Sequence, residues 1–181
     1  MSYPVFASGD VLNASDMNAV GLWLVKTQTV GSGVTTVTVT DAFNTNYDAY
    51  RIIYTGGTMS AATDMMFYFG ATPPANGYSE SQTFVRYDTG GTGVSTVNNQ
   101  PQWTFVGGGD TNGCFIQMDV YNPFNSGVRK YMTFSGLSAT VFTVVGTGIF
   151  NNTSSFTSFT LDPSGAATMT GGTICVYGFK K

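Results

Sequence analysis

The sequence predicts an all-β protein: a jelly-roll-like antiparallel β-sandwich over residues 29–181, preceded by an N-terminal arm at residues 1–28 that contains one short helix. Three observations predict it. From residue 29 onward the periodic segments alternate with period two, the spacing that sends successive side chains to opposite faces of a strand. These runs are rich in Thr, Val, Tyr and Phe, which fit a pleated, half-buried surface. Clusters of Gly, Pro, Asn and Asp break the chain at short, regular intervals, the rhythm of a sandwich or barrel. No helical segments alternate with the strands, which excludes a parallel α/β sheet. No fixed-period repeat points to a propeller or β-helix.

The elements follow in chain order. "SYPVFASGDV" reads as extended or turn-like, and "LNASDMNAVGLWLV" carries the one helix signature. Asn13 or Ser15 can cap it, and Asp16 suits a helix N-terminus. Met17, Val20 and Leu24 then fall at i, i+3 and i+7, with Trp23 beside them. Val5, Phe6, Leu12, Met17, Val20, Trp23 and Leu24 are the apolar anchors expected of the arm. "TTVTVTDAF" opens the strand series. "AYRIIYTGG" places Tyr50, Ile52 and Tyr54 on one face, and "DMMFYFGA" is apolar on both faces. "TFVRYD" and "PQWTFVGGG" follow. "CFIQMDVYN" alternates cleanly, with Ile116, Met118 and Val120 inward and Gln117 and Asp119 outward. "RKYMTFSG", "TVFTVVGTGIF", "SFTSFTLD" and "GGTICVYGF" complete about ten strands, a count that fits a jelly roll with an extra strand or two.

That last run raises a question about coverage. Ile174 and Val176 share one face, while Cys175, Tyr177 and Phe179 share the other, and both faces are largely apolar. One face packs on the domain's own core. The other needs a loop, the arm or another subunit to cover it.

Composition narrows the function. Charged residues make up only 9% of the 181 residues, where an ordinary soluble domain has about 25%. A surface so poor in Lys and Glu is weakly defended against association, and we expect partners to occupy much of it. The net charge is −3, and the 7 basic residues are scattered apart from Arg129-Lys130 and Lys180-Lys181. Nucleic-acid binding relies on clustered cations, so none is expected. No basic and apolar leader opens the sequence and no run is long enough to span a bilayer, so neither export by that route nor a membrane partner is expected. Cys114 and Cys175 read as free thiols.

No enzyme is expected. The absence of histidine removes Ser-His-Asp and Cys-His catalysis and the commonest transition-metal ligand. Glu80, the one glutamate, reads as lying in the loop "NGYSES", and pairing it with Asp88 or Asp119 for glycoside hydrolysis is disfavoured. Asp110 and Asn112 match the first and third positions of a calcium loop. Cys114 at the fifth and Tyr121 at the twelfth break the pattern, so a glycine-rich hairpin is expected instead. No catalytic, metal or cofactor site is assigned. Tyr78, Phe84, Tyr87 and Trp103 are candidates for stacking on sugar, with Trp103 expected to be buried.

Three stretches resemble a known group. "FASGDVLNASDMNAVG", through Gly9, Asp10, Val11, Leu12, Asn13, Ala14, Asp16 and Asn18, resembles an N-terminal segment of structural proteins of tailed bacteriophages. "GGTICVYGFKK" resembles the Gly-Thr-x-x-x-Tyr-Gly ending of compact β domains in such proteins, and "YDAYRIIYTGG" is similar to an early strand of them. Such modules occur on capsid decoration proteins, head fibres and tail fibres. The resemblance implies a virion structural protein with an anchoring arm and a jelly-roll body, often trimeric, and brings no catalytic residue. The expectation is a capsid decoration (cement) protein on the capsid surface, assembled in the host cytoplasm. Its partners would be itself, as a homotrimer, and the major capsid protein. Cys175, Tyr177 and Phe179 would form the subunit interface. The alternative is a tail or head-fibre module that binds host surface glycan or adapts to tail proteins.

Overall fold

The computed structural model describes residues 21–138 and 141–180. Among them the regular structure is β throughout, with no helix. The strands are β1 (Leu22–Thr29), β2 (Val37–Val39), β3 (Tyr47–Met59), β4 (Thr63–Phe69), β5 (Tyr78–Arg86) and β6 (Thr92–Gln100). They continue as β7 (Gly107–Asp110), β8 (Gly113–Tyr121), β9 (Lys130–Leu137), β10 (Phe142–Phe150), β11 (Phe159–Pro163), β12 (Met169–Thr170) and β13 (Thr173–Lys180). Every strand pairing is antiparallel.

Hydrogen bonding builds one broad layer in the order β1-β13-β3-β8-β9-β10-β5-β6. A smaller layer, β2-β11-β4, joins it through β7, which pairs with both β4 and β8. The core lies between them. Tyr50, Ile52 and Tyr54 of β3, Ile116, Met118 and Val120 of β8, and Ile174 and Val176 of β13 are fully buried. The alternation read from "AYRIIYTGG" and "CFIQMDVYN" is the alternation observed. From the other layer Phe67, Phe69, Phe159 and Leu161 point in to meet them. The result is β-sandwich-like.

An aromatic layer fills the space between the sheets. Trp103 lies 5.4 Å from Phe67, 5.7 Å from Phe69 and 5.1 Å from Tyr78, the last two edge-on. Tyr78 stacks on Phe150 at 3.8 Å. These rings need room against the sheet backbone, and "VGTGIF" of β10 supplies it. A Cβ on Gly148 would stand 2.5 Å from the Trp103 Nε1, and one on Gly146 2.5 Å from the Phe134 ring.

Two expectations change. The helix expected over "LNASDMNAVGLWLV" lies largely outside the described residues, and its final part is strand instead. Residues 22–28, assigned above to the arm, belong to β1, which pairs with β13 from Leu22↔Phe179 to Thr29↔Thr173. Trp23 and Leu24 therefore alternate across a strand rather than share a helix face. Pairing along a whole strand outweighs the two or three marginal turns that a helical spacing offers. The second change is β6, an edge strand beside β5 that the polar run "TGVSTVNNQ" did not announce.

Gly148→Ala tests the aromatic seat. The added methyl meets both Trp103 and the Met132 Cε, at 2.9 Å. We expect a loss of about 1–3 kcal/mol, seen as a thermal midpoint lowered by roughly 3–10 °C, whereas Gly113→Ala, which meets nothing within 4 Å, leaves it nearly unchanged.

Candidate interaction surface

The outward face of the large layer is the feature that the sequence left unexplained. Residues opposite one another in a ladder share a face. Leu24 faces Tyr177, Tyr177 faces Arg51, and Arg51 faces Asp119. The same row runs on through Thr133, Thr147 and Ser81 to Thr96, crossing the layer from β1 to β6. The opposite face is core, so this whole row points outward.

Cys175, Tyr177 and Phe179 lie on this face, as expected, and are half-buried by their neighbours in the sheet. Leu22 and Leu24 of β1 flank Phe179 and Tyr177. Arg51 sits over the Phe179 ring at 5.6 Å and makes a two-pronged ion pair with Asp119, Nε to Oδ1 at 2.8 Å and Nη2 to Oδ2 at 2.7 Å. That geometry holds the Arg51 guanidinium even more firmly protonated than usual. It also leaves this pair of opposite charges neutralised in place. Of the remaining arm anchors, Trp23 is half-buried on the inward side of β1 beside Gly178, and Leu24 is exposed on the outward side. Val5, Phe6, Leu12, Met17 and Val20 lie outside the described residues.

The candidate chemical residues lie in separate parts of the fold. Glu80 is not in a loop: it sits in β5, faces inward and is buried. "NGYSES" carries turn-forming residues, yet its Glu pairs with Gly148 on one side and Val97 on the other. The Thr104 hydroxyl donates to Glu80 Oε1 at 2.5 Å, while Glu80 Oε2, Gln82 Oε1 and Trp103 Nε1 make no protein hydrogen bond. Buried polar groups of this kind are met by ordered water in folded proteins. Burial pushes the Glu80 carboxyl above the usual range, against the opposing pull of hydrogen bonds from Thr104 and Phe105. Asp110 closes the β7–β8 hairpin by accepting from the backbone N–H groups of Asn112 and Gly113, at 2.7 and 3.2 Å.

The sugar-stacking candidates scatter. Tyr78 and Trp103 are buried in the aromatic layer, Phe84 is half-buried against Phe142, and Tyr87 is exposed. Cys114 is buried, and its thiol is pushed up to about 12 by that burial; Cys175 is half-buried, and both are free thiols. Comparison with protein-family models and with curated proteins returns no match for this chain.

The raised Glu80 pKa has a pH signature. The folded state holds this proton more tightly than the unfolded chain. The stability so gained is full below the unfolded value of about 4.3 and is lost as pH rises through the folded value. Thermal melts of Glu80→Gln should lack this part of the acid-range slope, so the variant gains on wild type as pH rises from 4 to 7. Parallel curves would place the ionised carboxylate in a solvated setting.

Proposed function

We propose that this chain is a bacteriophage virion structural protein, a capsid decoration (cement) protein that binds the outside of the shell and bridges its capsomers. The observation that carries the reading is the outward face of the large layer, a broad, nearly charge-free surface on a chain with few charges anywhere. A protein built to remain single in solution alternates apolar-in with polar-out. This one keeps apolar side chains on both sides of β1, β10 and β13.

The fold is read as a jelly-roll-like sandwich. Its pairings nest: β1 with β13, β2 with β11, β3 with β8, β4 with β7 and β5 with β6. A chain folded as one long hairpin and then wrapped produces such nesting, with the β9–β10 hairpin inserted between β8 and β5. The protein would act as a homotrimer with Cys175, Tyr177 and Phe179 at the subunit interface, and residues 1–20 would grip the major capsid protein. Burial of apolar surface at these junctions would resist internal pressure, with no catalytic step or cofactor.

Cryo-electron microscopy of the assembled particle tests this. Density for the chain at many symmetry-related positions on the shell is the expected result. Density at the tail or a single vertex would instead assign it to a fibre or adaptor.

A further inference from the structure

The outward face holds two apolar patches, of which the sequence announced one. All but Tyr87 and Val128 of the exposed large hydrophobic side chains among the described residues lie on it. The first patch is Leu22, Leu24, Tyr177 and Phe179 on β1 and β13. The second lies toward the other edge, on β9, β10, β5 and β6. There Val145 pairs with Thr83, which pairs with Val94, and Thr143 stands between Leu137 and Val85. Exposure is high in both: Leu24 58%, Val145 56% and Val94 67%. Between them lies a polar row, the Arg51–Asp119 pair with Thr133, Thr147 and Ser81, flanked by the apolar row Ala49, Tyr121, Tyr131 and Ile149.

We infer that this face is where copies of this chain associate, each junction setting the β1–β13 patch of one copy against the β10–β5–β6 patch of the next. The inference rests on the self-association part of the reading above and needs no virion. Size is the first argument. Eight strands about 4.8 Å apart and about eight residues long give a face of about 35 by 25 Å, about 900 Å². Divided between the two junctions of each copy, that is about 450 Å² from each partner per junction, and a chain buries an area comparable with the roughly 800 Å² per partner of a standard stable interface only when both of its junctions are made. Charge is the second. The chain carries a net −3, yet among the described residues the face holds a single neutralised ion pair across its middle, so two copies meet here without charge repulsion from these residues. Charge depletion of this kind marks the centre of protein interfaces.

Shape selects the pairing. The first patch carries long, projecting side chains, two Leu and two aromatics. The second is mainly β-branched and short, with Val, Thr and Ser in close rows. Large side chains interdigitate with small ones better than with each other. A junction between two copies of the first patch would leave the second uncovered on both. Head-to-tail junctions cover both patches with one kind of contact, and form a closed ring where the rotation from copy to copy closes.

Two variants decide it, Leu24→Glu in the first patch and Val145→Glu in the second. Both positions face solvent in the single chain, so melting temperatures close to wild type certify each fold; Leu24→Ser and Val145→Thr replace either that fails this check. Light scattering at about 100 μM, above the weak end of the μM-to-pM range of standard-size interfaces, should find wild type oligomeric, each copy being held at two junctions. Each variant alone should be monomeric. An equimolar mixture should form a one-to-one dimer, because one intact junction remains between the two damaged chains. Iodoacetamide should label Cys175 slowly in wild type and readily in monomeric Leu24→Glu. Monomeric wild type, or oligomers that survive either charged substitution, would overturn the inference. So would a full chain that is monomeric and associates only after residues 1–20 are removed, since the N-terminal segment would then be the cover. A shell-bound protein that is monomeric in solution would defeat this inference while leaving the virion reading standing.

Discussion

The close approach of aromatic rings to the β10 backbone is the constraint on which the rest of this fold depends. Sheets in a sandwich stand about 10 Å apart, and an indole lodged between them needs bare backbone on one side. Gly146 and Gly148 provide it, accepting the rings of Phe134 and Trp103. With Trp103 fixed, Phe67, Phe69 and Tyr78 pack around it, and through them β4 and β5 are set against each other. The isolated bridge between Phe67 and Trp103, with hydrogen bonds of 3.0 Å in both directions, holds the Trp103 backbone to β4 at the same point. Packing and hydrogen bonding thus specify one position for this side chain.

Aromatic packing alone would bury polar hydroxyls at a cost, so their hydrogen bonds matter. The Tyr50 hydroxyl accepts from the Asn44 N–H and donates to the Asn44 carbonyl, pinning the loop that leads into β3. The Tyr54 hydroxyl donates to the Gly171 carbonyl at the turn before β13. The Tyr78 hydroxyl accepts from the Phe69 N–H at the end of β4. Burial raises all three phenols, Tyr54 to about 12, so each stays protonated across the physiological range. The buried Lys130 ammonium acts likewise on the β8–β9 loop, donating to the carbonyls of Asn125 and Val128. In each case a core side chain reaches the backbone of a loop or of a strand's last residue, so the geometry of these connections is tied to core packing.

The parts of this fold legible in the sequence are those in which period two meets a one-sided core. In β3 and β8 apolar and polar residues alternate, and the faces follow directly. The sequence misled where local pattern and tertiary pairing disagree. Met17, Val20 and Leu24 have helical spacing, yet Leu24 is held in β1 by β13, a strand about 150 residues away that no local window contains. β6 left little signal because an edge strand on a polar rim needs few apolar residues. Glu80 looked like a loop acid because its neighbours are Ser, Gly and Asn, and its burial depends on Trp103 and Thr104 arriving from elsewhere. For the candidate surface, one outward strand face was readable from "TICVYGF". The second patch was not, since Leu137, Val145, Val85 and Val94 come from four separate strands and meet only through register.

The distribution of defences on the large layer says which way it can meet a partner. Sheet edges are the usual route to unwanted pairing, and proteins block them with bulges, charge and polar residues. Both edges here are blocked. β1 breaks register between Leu24 and Lys26, and Lys26 reaches toward Asp41. β6 breaks register against Tyr78 and Glu80, holds Asn99 at a φ of 57°, and carries Thr, Ser and Asn along its length. Among the described residues the broad outward face has no comparable protection: its charges cancel and large apolar side chains on it are exposed. A chain defended at its edges and open on its face is suited to stacking through side chains rather than adding strands end to end. Side-chain contact of that kind is bounded in area and specific in register, whereas edge pairing has neither limit.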